Sequence, residues 1–221
     1  MGDYADAILK NDKRFDIEGL ADWVKKGNIL RTQEEFLTEL FRPIKDKILC
    51  LLTGNHEETI HLAHQEDFTH NLCKNLGVRY GGYQCFIPMT FERGNSDNGA
   101  VSTRNYVVHA WHGSGAAQSH GGRLMRLMKL VNDISANIYL MGHLHATCIY
   151  APARLYCRAG KIKDEPLVAA MTGSWLTTYT QSTEKKPITP SYGEVKGYQP
   201  SVLGCPVVHI EPDENKITVE T

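Results

Sequence analysis

The sequence has no long apolar run, no excess of either charge and no closely spaced cysteine pair, and each absence removes a class of protein. No stretch approaches the roughly 18 apolar residues that span a bilayer. The first residues, Met-Gly-Asp-Tyr-Ala-Asp, lack a basic segment followed by an apolar one, so no secretory leader is read there and a cytoplasmic setting is expected. Lys and Arg number 24 against 25 Asp and Glu, a formal net charge of -1. Nothing global therefore draws the chain to nucleic acid or an anionic membrane, although a local basic groove is compatible with a neutral total. The six cysteines (Cys50, Cys73, Cys85, Cys148, Cys157 and Cys205) include no C-x-x-C. They are expected to be reduced, mostly buried thiols, not a zinc ribbon or a disulfide framework. There is no internal repeat and no low-complexity segment.

What is present is an ordinary globular composition: 221 residues, 42% hydrophobic and 22% charged. The recurring order is strand, loop, helix, strand. Thr32 to Phe41 predicts a helix, with capping-box spacing between Thr32 and Glu35 and an apolar stripe of Phe36, Leu37, Leu40 and Phe41. Pro43 marks its end. Ile48 to Thr53 is a continuous apolar run, as for a strand covered on both faces. Asp67 to Leu76 predicts a helix closed by Gly77. Gln84 to Phe91, Arg104 to Trp111, Ile138 to Met141, Leu167 to Met171, Val207 to Ile210 and Ile217 to Val219 predict strands. Arg123 to Ile134 predicts a helix with Leu124, Leu127, Met128, Val131 and Ile134 on one face. This alternation implies an α/β or α+β layered fold. One domain over 1–221 is expected, with Glu184 to Gly204, rich in Pro, Gly, Lys and Tyr, forming a long loop or lid.

Four short segments carry chemistry. Gly54-Asn55-His56-Glu57 follows the run Ile48 to Thr53, His112-Gly113 follows Trp111, and Gly142-His143-Leu144-His145 follows Met141. Polar residues at the C-terminal ends of sheet strands converge on one crevice. The fourth segment is Gly2-Asp3-Tyr4-Ala5-Asp6. His, Asp and Asn supply imidazole and oxygen donors and no thiolate, a set suited to Mn, Fe or Zn in a reactive centre. Glycine beside each ligand lets backbone and phosphate come close.

These motifs, G-D-x-x-D, G-N-H-E, H-G and G-H-x-H in this order, resemble those of the calcineurin-like metallophosphoesterases. They run from Gly2 to His145. A looser resemblance, through Thr172-Gly173-Ser174-Trp175 and Tyr192 to Pro206, is to uncharacterised phage and bacterial members. The resemblance implies a β-sandwich flanked by helices. It implies two divalent metal ions, with manganese favoured, and hydrolysis of a phosphomonoester or phosphodiester by a metal-bound hydroxide. Asp3 would bridge both ions. Asn55, His112 and His143 would complete the second site, and His145 would bind the first ion. His56 would contact the phosphate and protonate the leaving group, while Glu57 and Asp6 would hold their neighbours in place. The protein serine/threonine phosphatase pattern G-D-x-V-D-R-G is not met, because Ala7-Ile8 follows Asp6.

One family motif is missing. The family begins with an Asp-x-His strand at the centre of its sheet, and no Asp-x-His precedes Asp3. Asp67-Phe68-Thr69-His70 has another spacing and a helical context. The sequence is therefore expected to be a fragment or to start from a misplaced Met, or else to hold one ion well and the other poorly. A non-catalytic metal-binding or scaffold member and a nuclease-type phosphodiesterase stand as alternatives, the latter unsupported by net charge. His109, inside its strand, is expected to pack instead of binding metal. His61, His64, His70, His120 and His209 are expected at structural or surface positions. Arg123, Arg126 and Lys129 are assigned to a solvated helix face, with a phosphate contact considered for Arg123. Trp175, Tyr179, Tyr192 and Tyr198 are read as lid packing or the rim of a substrate mouth.

Overall fold

Apolar spacing sets most of the elements, and the chain folds into two compact units, Met1–Cys85 and Phe86–Thr221. The structure, a computed structural model, describes residues 1–221 except Asn11, Lys13, Arg14, Asp16, Glu18, Gly19, 95–100 and 180–191. It is a mixed α/β protein with one mixed five-stranded sheet. No helix among the described residues is long and apolar enough to cross a membrane.

In the first unit, helix α1 (Ile29–Phe41) buries Ile29, Gln33, Leu37 and Thr38. It starts three residues before the expected Thr32, with Asn28 at its cap. The capping box is not formed, because the Thr32 hydroxyl donates to the Asn28 carbonyl at 2.7 Å from inside the helix. Phe36 and Leu40 of the expected stripe are exposed, and Trp23 stacks on Phe36 with ring centroids 4.2 Å apart. At Pro43 the chain tightens into a 3-10 turn, Arg42–Lys47. Helix α2 (Asn55–His64) follows. Helix α3 (Phe68–Leu76) is capped by the Asp67 side chain, which accepts from the His70 amide, and closes on Gly77 at φ 72. Leu37, Leu51, Phe68, Leu72, Cys73 and Leu76 form the core of this unit, with Tyr4 and Phe41 packed against it.

The run Ile48 to Thr53 corrects the expectation of a strand covered on both faces. It is extended but makes only one isolated parallel bridge, Leu51 with Tyr80. Its main-chain bonds go to 79–82: Leu51 N to Arg79 O at 3.0 Å, Gly81 N to Leu51 O at 2.8 Å and Thr53 N to Gly82 O at 2.8 Å. A partner segment this short, with glycine at 81 and 82, does not sustain a ladder. Leu49 is exposed while Leu51, Leu52 and Thr53 are buried, so only the C-terminal half of the run is covered.

The second unit is built on the sheet, ordered β1-β2-β3-β7-β4. Strand β1 (Gln84–Gly94) neighbours β2 (Val101–Trp111). Strands β2, β3 (Ile138–Met141) and β7 (Val168–Thr172) are parallel, and β4 (Thr147–Tyr150) lies antiparallel to β7. Strands β3 and β7 are almost wholly apolar because both faces are covered. Helix α4 (His120–Asp133) lays Leu127, Leu130 and Val131 against Tyr139, Met141, Ala169 and Met171 on one face. On the other, the hairpin of β8 (Val207–Glu211) and β9 (Lys216–Glu220) packs Val208, Ile210, Ile217 and Val219 against Val108, Ile138 and Val168. A separate hairpin, β5 (Arg154–Arg158) with β6 (Lys161–Glu165), has no counterpart in the sequence reading. It is largely exposed on both faces and so lacks the period-two pattern of a half-buried strand.

Of the expected lid, 184–191 lie outside the described residues. The rest holds a short helix, α5 (Tyr192–Lys196), and is tied to the exit of β7 where Gly204 N donates to Ser174 O at 3.0 Å. All six cysteines are free thiols. Cys73 and Cys148 are buried, Cys50 and Cys85 half-buried, and Cys157 and Cys205 exposed, so burial is less general than expected. The exposed pair sits on the β5–β6 hairpin and in the stretch before β8, segments with little core beneath them.

Candidate metal centre

The first unit gathers Asp3, Asp6, Asn55, His56 and Glu57 around the start of α2. The residue that organises them is Glu57, 1% exposed. Its Oε2 accepts from the Asp3 amide at 2.9 Å and the Gly54 amide at 2.8 Å, and its Oε1 accepts from the Tyr4 amide at 2.8 Å. One carboxylate thus ties the Gly2–Tyr4 segment to the helix start. That tie holds Asp3 at φ 53, a left-handed conformation that costs energy in a residue with a side chain. The Asp3 carboxylate accepts from the His56 amide at 3.0 Å, so a negative charge caps the N-terminus of α2, where the helix dipole favours it. Gly54 is required by this close approach, since a Cβ there would overlap Asp3 Oδ1 and the Asp3 amide.

Glu57 therefore holds Asp3, Tyr4 and Gly54. Asp6 acts through its main chain, not its carboxylate: its carbonyl lies 2.7 Å from His56 Nδ1. A carbonyl can only accept, so Nδ1 carries the proton and Nε2 keeps the remaining lone pair. The Tyr4 hydroxyl accepts from the Leu52 amide at 3.0 Å, and burial pushes its pKa well above the usual phenol value. Burial also raises the Tyr83 phenol, with the charges of Asp3, Glu58 and Glu57 adding to the effect.

The second unit places His112 and His143 side by side. Strands β2 and β3 are parallel neighbours with Trp111 opposite Met141, so the residues that follow each strand emerge together. His112 is 1% exposed, and its ring lies 5.3 Å from that of His143 at 70°. His143 has φ 68 and its Nε2 lies 3.0 Å from the Gly115 carbonyl. By the same argument Nε2 carries the proton and Nδ1 keeps the lone pair, the arrangement by which a carbonyl orients a ligating imidazole. Gly113, at φ 98, allows the turn after β2, because a Cβ there would lie 2.9 Å from the Gly142 carbonyl.

His145, at φ 47, is exposed and does not join His112 and His143 as a third donor within 4.8 Å. His109 is fully buried, tilted against Phe86 and edge-on to Tyr139. Burial lowers its pKa. The expectation of a solvated face for Arg123, Arg126 and Lys129 holds only for Lys129. Arg123 donates to the Ala117 carbonyl at 3.3 Å and to Gln199 at 3.5 Å. The Arg126 guanidinium lies against Gly115, where the absence of a side chain leaves room for it. The sequence reading missed Gly115 as the group that orients His143. The available signal was the second glycine of His112-Gly113-Ser114-Gly115. Trp175 is exposed, and the side chain of Tyr192 is outside the described set.

The sequence matches no protein-family model, and neither a curated protein nor a solved structure matches it.

Proposed function

We propose that this chain is a metal-dependent phosphoesterase of the calcineurin-like type, in which His112 and His143 hold a divalent cation, with Asp3 as the further ligand that the motif resemblance implies. The observation that carries the reading is the pairing of His112 with a His143 whose tautomer is set by a backbone carbonyl. The donors fit such an ion: one carboxylate and two imidazoles, with no sulfur, suit Mn, Fe or Zn. Bound there, the ion would supply Lewis acidity, polarising the ester and acidifying water. Asn55, next to the Asp3 anchor, adds a neutral oxygen donor. His145 would be the ligand of a second ion, and its exposure favours a centre that holds one ion more firmly than two.

In this reading the chain's own groups do three things. Glu57 fixes Asp3 and Gly54. The Asp6 carbonyl fixes His56 through Nδ1–H, and Nε2, once it takes a proton from solvent, would present that proton to the leaving oxygen. As water gives up a proton to solvent and adds to phosphorus while the ester P–O bond breaks, the His56 proton passes to the departing alkoxide, a contribution of roughly 10²–10⁴ in rate. The test is manganese-dependent hydrolysis of 4-nitrophenyl phosphate and bis(4-nitrophenyl) phosphate. Activity should appear with Mn²⁺, vanish with chelator and fall on His56→Ala or Asn55→Ala. Full activity in an Asn55→Ala/His143→Ala double variant would refute the assignment.

A further inference from the structure

One charge beside the proposed centre has no counterpart among the described residues. Arg126 is half-buried on α4, and among the described residues no ion pair or hydrogen bond engages its guanidinium. Neighbouring arginines are satisfied: Arg123 bonds Ala117 and Gln199, and Arg154 pairs with Glu165 at 3.3 Å and donates to the Val131 carbonyl at 2.9 Å. Lys129, further along the same helix, is exposed and needs no partner.

The placement of Arg126 is specific. Its guanidinium fills the space that a Cβ on Gly115 would take. Gly115, at φ 93, belongs to the loop that begins at His112, and its carbonyl orients His143. A side chain at 115 would displace the guanidinium, and a left-handed backbone there disfavours one. Withdrawing a cation partly from water without a partner costs solvation energy, which an anionic ligand would return. A guanidinium presents two parallel N–H donors that match two oxygens of a phosphate, and it keeps its charge at any working pH.

We propose that Arg126 is an anion-binding residue that grips two non-bridging oxygens of the substrate phosphate. This rests on the phosphoesterase reading above, and it adds a recognition group from α4 that the motifs do not contain. The test is calorimetric titration of the full chain with Mn²⁺ and then with inorganic phosphate, for wild type, Arg126→Met and Arg126→Lys. Methionine keeps much of the bulk against Gly115 and removes the charge, so Mn²⁺ affinity should stay within about twofold while phosphate binding weakens by about 10–100-fold. Lysine, a point charge without the fork, should fall between. Unchanged phosphate affinity in Arg126→Met would overturn the proposal and leave the metal reading standing. Loss of Mn²⁺ and phosphate together in that variant would also overturn it, since Arg126 would then be propping the loop. If wild type binds no Mn²⁺, the metal reading falls. Phosphate titrated without metal then decides: binding lost in Arg126→Met sustains the anion site, and no binding by wild type ends it.

Discussion

Replacing Glu57 by alanine should unmake the local structure on which Asp3 depends. The side chain is fully buried and accepts three backbone N–H bonds, at 2.9, 2.8 and 2.8 Å, from Asp3, Tyr4 and Gly54. Hydrogen bonds to a charged group contribute about 1.5–3 kcal/mol each, and an orphaned buried donor costs about 1–3 kcal/mol. Asp3 and Tyr4 are half-buried, so water can reach part of what is exposed. The loss should therefore sit near the low end of the sum, about 3–5 kcal/mol, which is large for a single substitution. Glu57→Gln keeps one acceptor oxygen but turns an amide N–H toward a donor, and should cost about 2–3 kcal/mol. Glu58→Ala, which removes the adjacent carboxylate, should stay within about 0.5 kcal/mol. Urea denaturation followed by circular dichroism gives the totals. Hydrogen exchange gives the location: the amides of Asp3, Tyr4 and Gly54 should lose protection before the rest of the unit. A Glu57→Ala protein within 1 kcal/mol of wild type, with those amides still protected, would refute the reasoning.

Two further outcomes are expected. Tyr139→Phe leaves the Ala136 amide and the Ile134 carbonyl without the buried hydroxyl that now meets them at 2.8 and 2.7 Å. It should destabilise the second unit by about 1–3 kcal/mol in urea, and an unchanged midpoint would contradict that bonding. A thiol reagent at pH near 7.5 should label exposed Cys157 and Cys205 first. Burial pushes the Cys73 and Cys85 thiols up to about 11, which leaves on the order of a few hundred-fold less thiolate than a free cysteine has. Cys73 reacting as fast as Cys157 would count against the burial.

The elements legible in the sequence are those whose apolar spacing has a covered face. Strand β3 is read to the residue, because Ile138 to Met141 is apolar on both sides and closely bounded. Helix α4 is read from a stripe that the structure largely buries, and α3 from Gly77, which closes it. Ile48 to Thr53 misleads because apolar content reports burial and not pairing. Its partner at 79–82 is too short for a ladder. Helix α2 is hidden because Asn55 to His64 carries few apolar residues and draws its stability from Glu57 and from Asp3 at its start, contacts distant in sequence. In the candidate centre, the adjacency of His112 and His143 follows from two parallel strands that the sequence does show. For the Gly115 carbonyl the only trace there is the second glycine of the loop, and the placement of the Arg126 guanidinium is invisible, since it depends on how α4 sits over that loop.

The central claim is that His112 and His143 serve one ion, and a double-mutant cycle on Mn²⁺ affinity tests it most directly. His112→Ala and His143→Ala should each weaken Mn²⁺ binding by about 10–100-fold, and the double variant should be little worse than either alone, as for groups that share one ligand. Losses that multiply in the double variant, or single variants that bind Mn²⁺ as wild type does, would contradict the account.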